Sequence, residues 1–79
     1  MSRPEKHSLT LKGHRTSVSL EPEFWRAFQD IAKERGMALN ALAAAIDIDR
    51  GTDAGLATAI RLFVLNYYRA KAQAATEAS

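Results

Sequence analysis

The feature that most constrains this chain is a short alternating segment placed directly before an amphipathic helix. Residues 15 to 20 read Arg-Thr-Ser-Val-Ser-Leu, which predicts a strand. Thr16, Val18 and Leu20 fall on one face of it. The other face is polar and carries Arg15, Ser17 and Ser19. Because backbone N–H and C=O groups must be paired when they are buried, this strand needs a second strand beside it.

Three helices are predicted after the strand. The first covers about residues 22 to 35, since Pro22 suits the first helical position and Gly36 supplies a left-handed stop. The second, shorter helix covers residues 39 to 48, and the third covers residues 56 to 69. The third helix is apolar on two faces, which is typical of a helix that packs against two neighbours.

Two partners are open to the strand. Residues 8 to 12 also alternate, and Gly13-His14 would then form the turn of a hairpin within the chain. Alternatively, a second copy of the chain pairs antiparallel about a two-fold axis. We expect the second copy, because a chain of 79 residues without cysteine has a small core and no disulfide to support it. An isolated monomer would then not be folded.

Length and hydropathy indicate one domain. We expect a flexible N-terminal arm over residues 1 to 7, the folded domain over residues 8 to 69 and a C-terminal tail over residues 70 to 79. No apolar run is long enough for a membrane span or a signal peptide, so we expect a cytoplasmic protein without a membrane partner. The first 15 residues hold four basic side chains and one acidic side chain, a balance compatible with a polyanionic partner.

The sequence offers little for catalysis or for metal binding. Asp47, Asp49 and Asp53 begin like a calcium loop, but Thr52 and Thr58 stand where that loop has glycine and glutamate. The three aspartates are better explained by the end of the second helix, a turn and a cap, with Asp53 as the cap of the third helix. There is no phosphate-binding glycine loop and no nucleophile elbow. We therefore expect no enzyme, no metal and no cofactor.

The order of these segments resembles the ribbon-helix-helix family of bacterial DNA-binding proteins. The resemblance lies in the run from residue 13 to residue 25, in a helix that ends at Arg35-Gly36, and in the segment 39 to 42. Residues 59 to 65, Ala-Ile-Arg-Leu-Phe-Val-Leu, are similar to a subgroup with a third helix. The resemblance covers about residues 8 to 69. It implies a mainly helical fold with one N-terminal strand, paired antiparallel in a homodimer, followed by three helices.

The resemblance also implies how the chain would bind DNA. In the family, two strands form a ribbon that lies in the major groove, and outward side chains touch base edges. Carried over by position, these base-contacting residues are Arg15, Ser17 and Ser19. The implied phosphate contacts are Lys12, His14, Leu39 and Asn40. Ala38 stands where family members often have serine or threonine, so Asn40 would have to cap the second helix.

The implied dimer core comprises the apolar residues of the strand and the three helices: Val18, Leu20, Phe24, Phe28, Ile31, Leu42, Ile46 and Phe63. The function that this resemblance favours is that of a bacterial transcriptional regulator, which binds specific sites on double-stranded DNA as a homodimer. Such dimers can assemble further on DNA. One alternative is a dimerisation or protein-interaction module whose partner binds the third helix. The other is the antitoxin of a toxin pair.

Overall fold

The chain folds into a two-stranded antiparallel hairpin followed by three helices. A computed structural model describes residues 3–50 and 55–78. The elements are, in chain order, β1 (Glu5–Leu11), β2 (His14–Leu20), α1 (Pro22–Glu34), α2 (Leu39–Asp49) and α3 (Leu56–Ala78). The predicted fold class, a mainly helical chain with an N-terminal ribbon and three helices, is confirmed.

The chain supplies two strands where the sequence predicts one. The partner of β2 within the chain is β1, paired antiparallel from Glu5 opposite Leu20 to Leu11 opposite His14. The expectation that only a second copy provides this partner is therefore corrected. The strand β1 also begins earlier than residue 8 and takes in residues 5 to 7 of the segment predicted to be a flexible arm.

The turn of the hairpin lies one residue before the predicted Gly13-His14 turn. It consists of Lys12 and Gly13, with φ values of 51° and 81°. A two-residue turn of type I′ requires positive φ at both central residues. Hairpins favour this turn because its twist matches that of the strands. Glycine adopts this conformation freely, whereas Lys12 does so at a steric cost.

One chain buries its own hydrophobic core. The inner face of the hairpin packs on the helices, and Val18, Leu20 and Phe28 are at most 3% exposed. Among residues 3–50 and 55–78, the buried apolar residues are Leu9, Val18, Leu20, Phe28, Ile31, Ala32, Leu42, Ala43, Ile46, Ile60 and Val64. The argument for an obligate dimer assumes a strand with no partner inside the chain, so it no longer holds. A dimer itself stays a prediction.

The ends of α1 and α2 lie within one residue of the prediction, whereas α3 extends beyond it. Gly36 has a φ of 66°, and the N–H groups of Gly36 and Met37 donate to the carbonyls of Lys33 and Ala32, which closes α1 with a Schellman motif. The helix α2 begins at Leu39, after Ala38, which forms no side-chain cap. Its last residue is Asp49, one beyond the prediction. The predicted cap Asp53 lies outside the described residues.

Ion pairs attach α3 to the end of β2 and to α1. Arg61 donates from Nε and Nη2 to the two carboxylate oxygens of Glu21, at 2.8 and 3.1 Å. Further along, Lys71 Nζ lies 2.6 Å from Glu34 Oε1 at the end of α1. The helix thus continues past residue 69, and part of the predicted tail contacts the folded domain. In the part of the chain that the structure describes, no helix is long and apolar enough to cross a membrane.

Candidate nucleic-acid interface

The hairpin presents one polar face to solvent, which we call the outer face. Cross-strand pairing sets Lys6 opposite Ser19, Ser8 opposite Ser17 and Thr10 opposite Arg15. All six side chains are exposed, whereas the intervening Leu9, Val18 and Leu20 are buried beneath the sheet. The three residues predicted to contact bases therefore lie together, as the period-2 pattern of β2 indicates. The residues of the outer face are Lys6, Ser8, Thr10, Arg15, Ser17 and Ser19.

The formal charges of the outer face are positive. Lys6 and Arg15 belong to it, and its other members carry hydroxyl groups. Glu5 does not belong to the outer face, since it lies across from Leu20, whose side chain is on the inner side. A surface of cations and hydroxyls that contains no carboxylate suits a polyanion with hydrogen-bonding groups.

The backbone N–H and C=O groups of each strand point alternately toward the other strand and away from it, and the turn determines which residues do which. A two-residue turn closes on a hydrogen-bonded pair, here Leu11 with His14, and such pairs recur at every second residue. The N–H and C=O groups of the outer-face residues therefore point away from the hairpin. Two contacts agree with this. Thr10 N–H donates to Asn40 Oδ1 at 3.1 Å, and Ser19 O accepts from Arg61 Nη2 at 3.2 Å.

Each edge of the hairpin is bonded to a side chain of a different helix. The edge of β1 is held against α2 by the Asn40 side chain. The edge of β2 is bonded by Arg61 at its Ser19 end. Among the described residues, the backbone groups of Arg15 and Ser17 have no hydrogen-bond partner outside the hairpin. The outward backbone groups of Lys6 and Ser8 on β1 likewise have no such partner among the described residues, so both edges keep groups that a further strand could pair with.

The predicted phosphate contacts divide into two groups. Lys12 and His14 are exposed at the turn end of the hairpin. His14 lies two residues before Thr16 and so on the same face of β2, and Lys12, His14 and Thr16 line a cavity of about 310 Å³ beneath the sheet. His14 is thus directed away from the outer face. Leu39 and Asn40 begin α2 next to the edge of β1.

The start of α2 retains donors of its own. Asn40 is the second residue of the helix rather than its cap, since its side-chain oxygen binds Thr10 N–H. The predicted capping role of Asn40 is therefore wrong. The first backbone N–H groups of a helix have no acceptor within the helix, and Ala38 supplies none from its side chain. These groups lie at the β1 edge of the hairpin.

Sequence reasoning missed two residues that position the outer face. Arg61 joins the end of β2 to the start of α1, and its hydrogen bonds to Glu21 hold the pKa of that carboxyl below its usual range. His7, on the inner side of β1, stacks on Trp25 of α1 with ring centroids 3.9 Å apart. Its Nε2 atom is buried with no hydrogen-bond partner among the described residues. Only the alternation of residues 8 to 12 indicated that β1 exists.

The residues predicted to form a dimer core have two different environments. Six of them belong to the core of one chain: Val18, Leu20, Phe28, Ile31, Leu42 and Ile46. Phe24 and Phe63 are partly exposed, and the Arg35 guanidinium lies 5.9 Å from the centre of the Phe63 ring. Larger apolar exposure occurs at other positions of α2 and α3, namely Ile48, Leu62, Leu65 and Tyr68.

The aspartates of the predicted calcium-like run do not assemble a site in the described residues. Asp47 forms an ion pair with Arg50, at 2.6 Å, across one turn at the end of α2. Asp53 lies outside the described residues. Within residues 3–50 and 55–78, no three histidine or carboxylate side chains cluster so as to hold a metal ion.

Comparison with known proteins agrees with the hairpin and its helices. A family model described as a ribbon-helix-helix domain matches residues 4–68, which include both strands, α1, α2 and the first half of α3. No curated protein and no solved structure matches the chain. Domains of the matched family are generally those of DNA-binding transcription regulators. Because the match covers most of the 79 residues, the chain belongs to the ribbon-helix-helix domain family.

Proposed function

We propose that this chain is a bacterial transcriptional regulator that binds specific sites on double-stranded DNA as a homodimer in the cytoplasm. The observation that carries the proposal is the outer face, on which Arg15, Ser17 and Ser19 are exposed at every second position of β2. An antiparallel ribbon fits the major groove, where each base pair presents a distinct set of donors and acceptors. The cations and hydroxyls of the outer face complement those groups and the phosphates around them.

The open edge of β2 supports the proposed homodimer. If the β2 strands of two copies pair antiparallel about a two-fold axis, the backbone groups of Arg15 and Ser17 gain partners in the same patch of the second copy. Pairing through β2 also places Arg15, Ser17 and Ser19 of the two copies side by side, whereas the edge of β1 has the start of α2 next to it. The resulting sheet has four strands, with the two β2 strands at its centre.

Each proposed contact follows from the chemistry of its side chain. Arg15 can bind the O6 and N7 atoms of guanine with two hydrogen bonds, and this contact discriminates strongly between bases. Ser17 and Ser19 both donate and accept, so they read bases more permissively. Lys12 would contact phosphate by its charge. At the start of α2, Asn40 and its neighbour Leu39 would contact phosphate by backbone N–H, as helix N-termini do.

A salt-titrated binding experiment on mixed genomic fragments tests the proposal. We expect weak binding to all fragments at about 50 mM salt and retention of a small subset at about 200 mM, because phosphate-mediated binding fades with salt. On a selected site, Arg15→Ala should lose about 1 to 3 kcal/mol of discrimination at one base pair per half-site. The control is Arg26→Ala, which removes an exposed arginine from α1 and should leave base preference unchanged.

Two outcomes would contradict the proposal. The first is a wild-type protein that binds no fragment even at low salt. The second is a selected site whose recognition survives Arg15→Ala, Ser17→Ala and Ser19→Ala together, since the outer face would then not be the reading surface.

One observation favours a second candidate function, a protein-interaction module such as an antitoxin. Leu62, Leu65 and Tyr68 recur at intervals of three along α3 and are all exposed. An apolar strip of this kind suits a partner protein. In that case Leu65→Gln should weaken binding of the partner, and the wild-type protein should not select DNA fragments.

A further inference from the structure

We infer that β1 is a second DNA-contacting strand, which holds the phosphate backbone on both sides of the groove while β2 reads the bases. The contacting residues are Lys6, Ser8 and Thr10. This inference rests on the proposed function and extends it to a strand that the predicted set of DNA contacts does not include.

The register of the hairpin is the first step of the argument. Lys6, Ser8 and Thr10 lie directly across from the three residues of β2 that the proposed function assigns to bases. Side chains at opposing positions of an antiparallel pair are about 5 Å apart and project from the same face. A duplex that reaches the outer face of β2 therefore also approaches β1.

The width of the sheet distinguishes the roles of the two strands. Neighbouring strands lie about 4.8 Å apart, so the outermost strands of a four-stranded sheet are about 14 Å apart. The major groove is about 12 Å wide and admits two strands. With the β2 strands at the centre, the two β1 strands would lie over the rims of the groove. The rims are formed by the phosphate backbones.

The side chains of β1 are suited to the rims. A lysine and two hydroxyls are common donors to phosphate oxygens, and such contacts carry no sequence information. The arginine, which best discriminates between bases, is on β2 instead. The hydrogen bond from Thr10 N–H to Asn40 also brings the start of α2, whose first backbone N–H groups have no acceptor within the helix, to the edge of β1. Two sets of phosphate donors thus converge on the same side of the hairpin.

The salt dependence of binding tests the inference. Each lost phosphate contact lowers the slope of log K against log salt by about 0.9, so Lys6→Ala should lower it by about 1.8 in a symmetric dimer. Between about 50 and 200 mM salt, the wild-type protein should then lose about 12-fold more affinity than the variant. The ranking of single-base variants of the site should not change. Lys6→Arg should restore the slope, and Lys33→Ala, which removes an exposed lysine from α1, should leave it unchanged.

Three results would overturn the inference, and they are distinguishable. If Lys6→Ala leaves the slope unchanged while Arg15→Ala still alters base preference, the proposed function stands and β1 is not a contact strand. If Lys6→Ala alters base preference, β1 reads bases, and the hairpin of a single chain occupies the groove. If the wild-type protein binds no DNA, the proposed function fails together with this inference.

Discussion

A proline at position 17 tests whether the open edge of β2 is the dimer interface. The N–H group of Ser17 points away from β1, so Ser17→Pro removes no hydrogen bond of the hairpin ladder. The substitution removes instead the N–H group that points away from β1, and it places the carbons of the proline ring at the open edge of β2. Proline is tolerated at strand edges, where its fixed φ near −65° is compatible with extended backbone. The variant should therefore fold and fail to pair.

The expected magnitude follows from counting donors. A symmetric dimer loses one outward N–H group per chain, and a backbone hydrogen bond contributes about 1 kcal/mol net. The loss of about 2 kcal/mol corresponds to a dimer dissociation constant raised about 30-fold, since about 1.4 kcal/mol is a factor of ten. The proline ring also obstructs the approach of the second strand. The 30-fold figure is therefore a lower bound.

Sedimentation equilibrium over a range of protein concentrations measures this effect, with circular dichroism to confirm helical content. Two variants serve as controls. Ser17→Ala keeps the N–H group and should dimerise like the wild-type protein. Thr16→Pro removes an N–H group that faces Leu9 within the hairpin, so it should destabilise the monomer itself.

The reasoning would be refuted by a Ser17→Pro variant that dimerises as tightly as the wild-type protein. A wild-type protein that stays monomeric at all accessible concentrations would refute it as well. The first result would move the interface elsewhere, with the exposed apolar side chains of α3 as the next surface to test.

Two further predictions concern stability. Phe28 is fully buried, so Phe28→Ala should lower the free energy of unfolding by about 3 to 5 kcal/mol in urea titrations, whereas Gln29→Ala, at an exposed neighbour, should change it by less than about 0.5 kcal/mol. Arg61 lowers the pKa of Glu21, so the stability gained from this ion pair is present above the ordinary carboxyl range and is lost as the pH falls through the lowered pKa. Unfolding midpoints of the wild-type protein and Glu21→Gln should therefore differ at neutral pH and converge in acid. A constant difference would contradict this assignment.

Local patterns predicted the parts of the fold that local physics determines. Alternation alone assigns the two faces of β2, because successive side chains of a strand point to opposite sides. Gly36 ends α1 through its left-handed conformation, as the sequence indicates. The three residues expected on the polar face of β2 are exposed for the same reason. Their contact with DNA remains a prediction.

Pairing partners and distant contacts were not predictable in the same way. The alternation of residues 8 to 12 favours a strand, but it does not say which strand lies beside it. The turn gives little signal, since Lys12 adopts a positive φ that lysine seldom takes. The bonds of Arg61 to Glu21 and of Asn40 to Thr10 span 40 and 30 residues, so no local pattern announces them.

The closed hairpin separates folding from assembly, with consequences for the proposed regulator. In a chain whose single strand needs a second copy, folding and dimerisation are one equilibrium. Here β1 completes the inner ladder of β2, and the core is buried within one chain, so the proposed dimer would need only the opposite edge of β2. Dimer formation then becomes a distinct step before DNA binding. Occupancy of a two-fold site should consequently rise with the square of protein concentration below the dimer dissociation constant, and linearly above it.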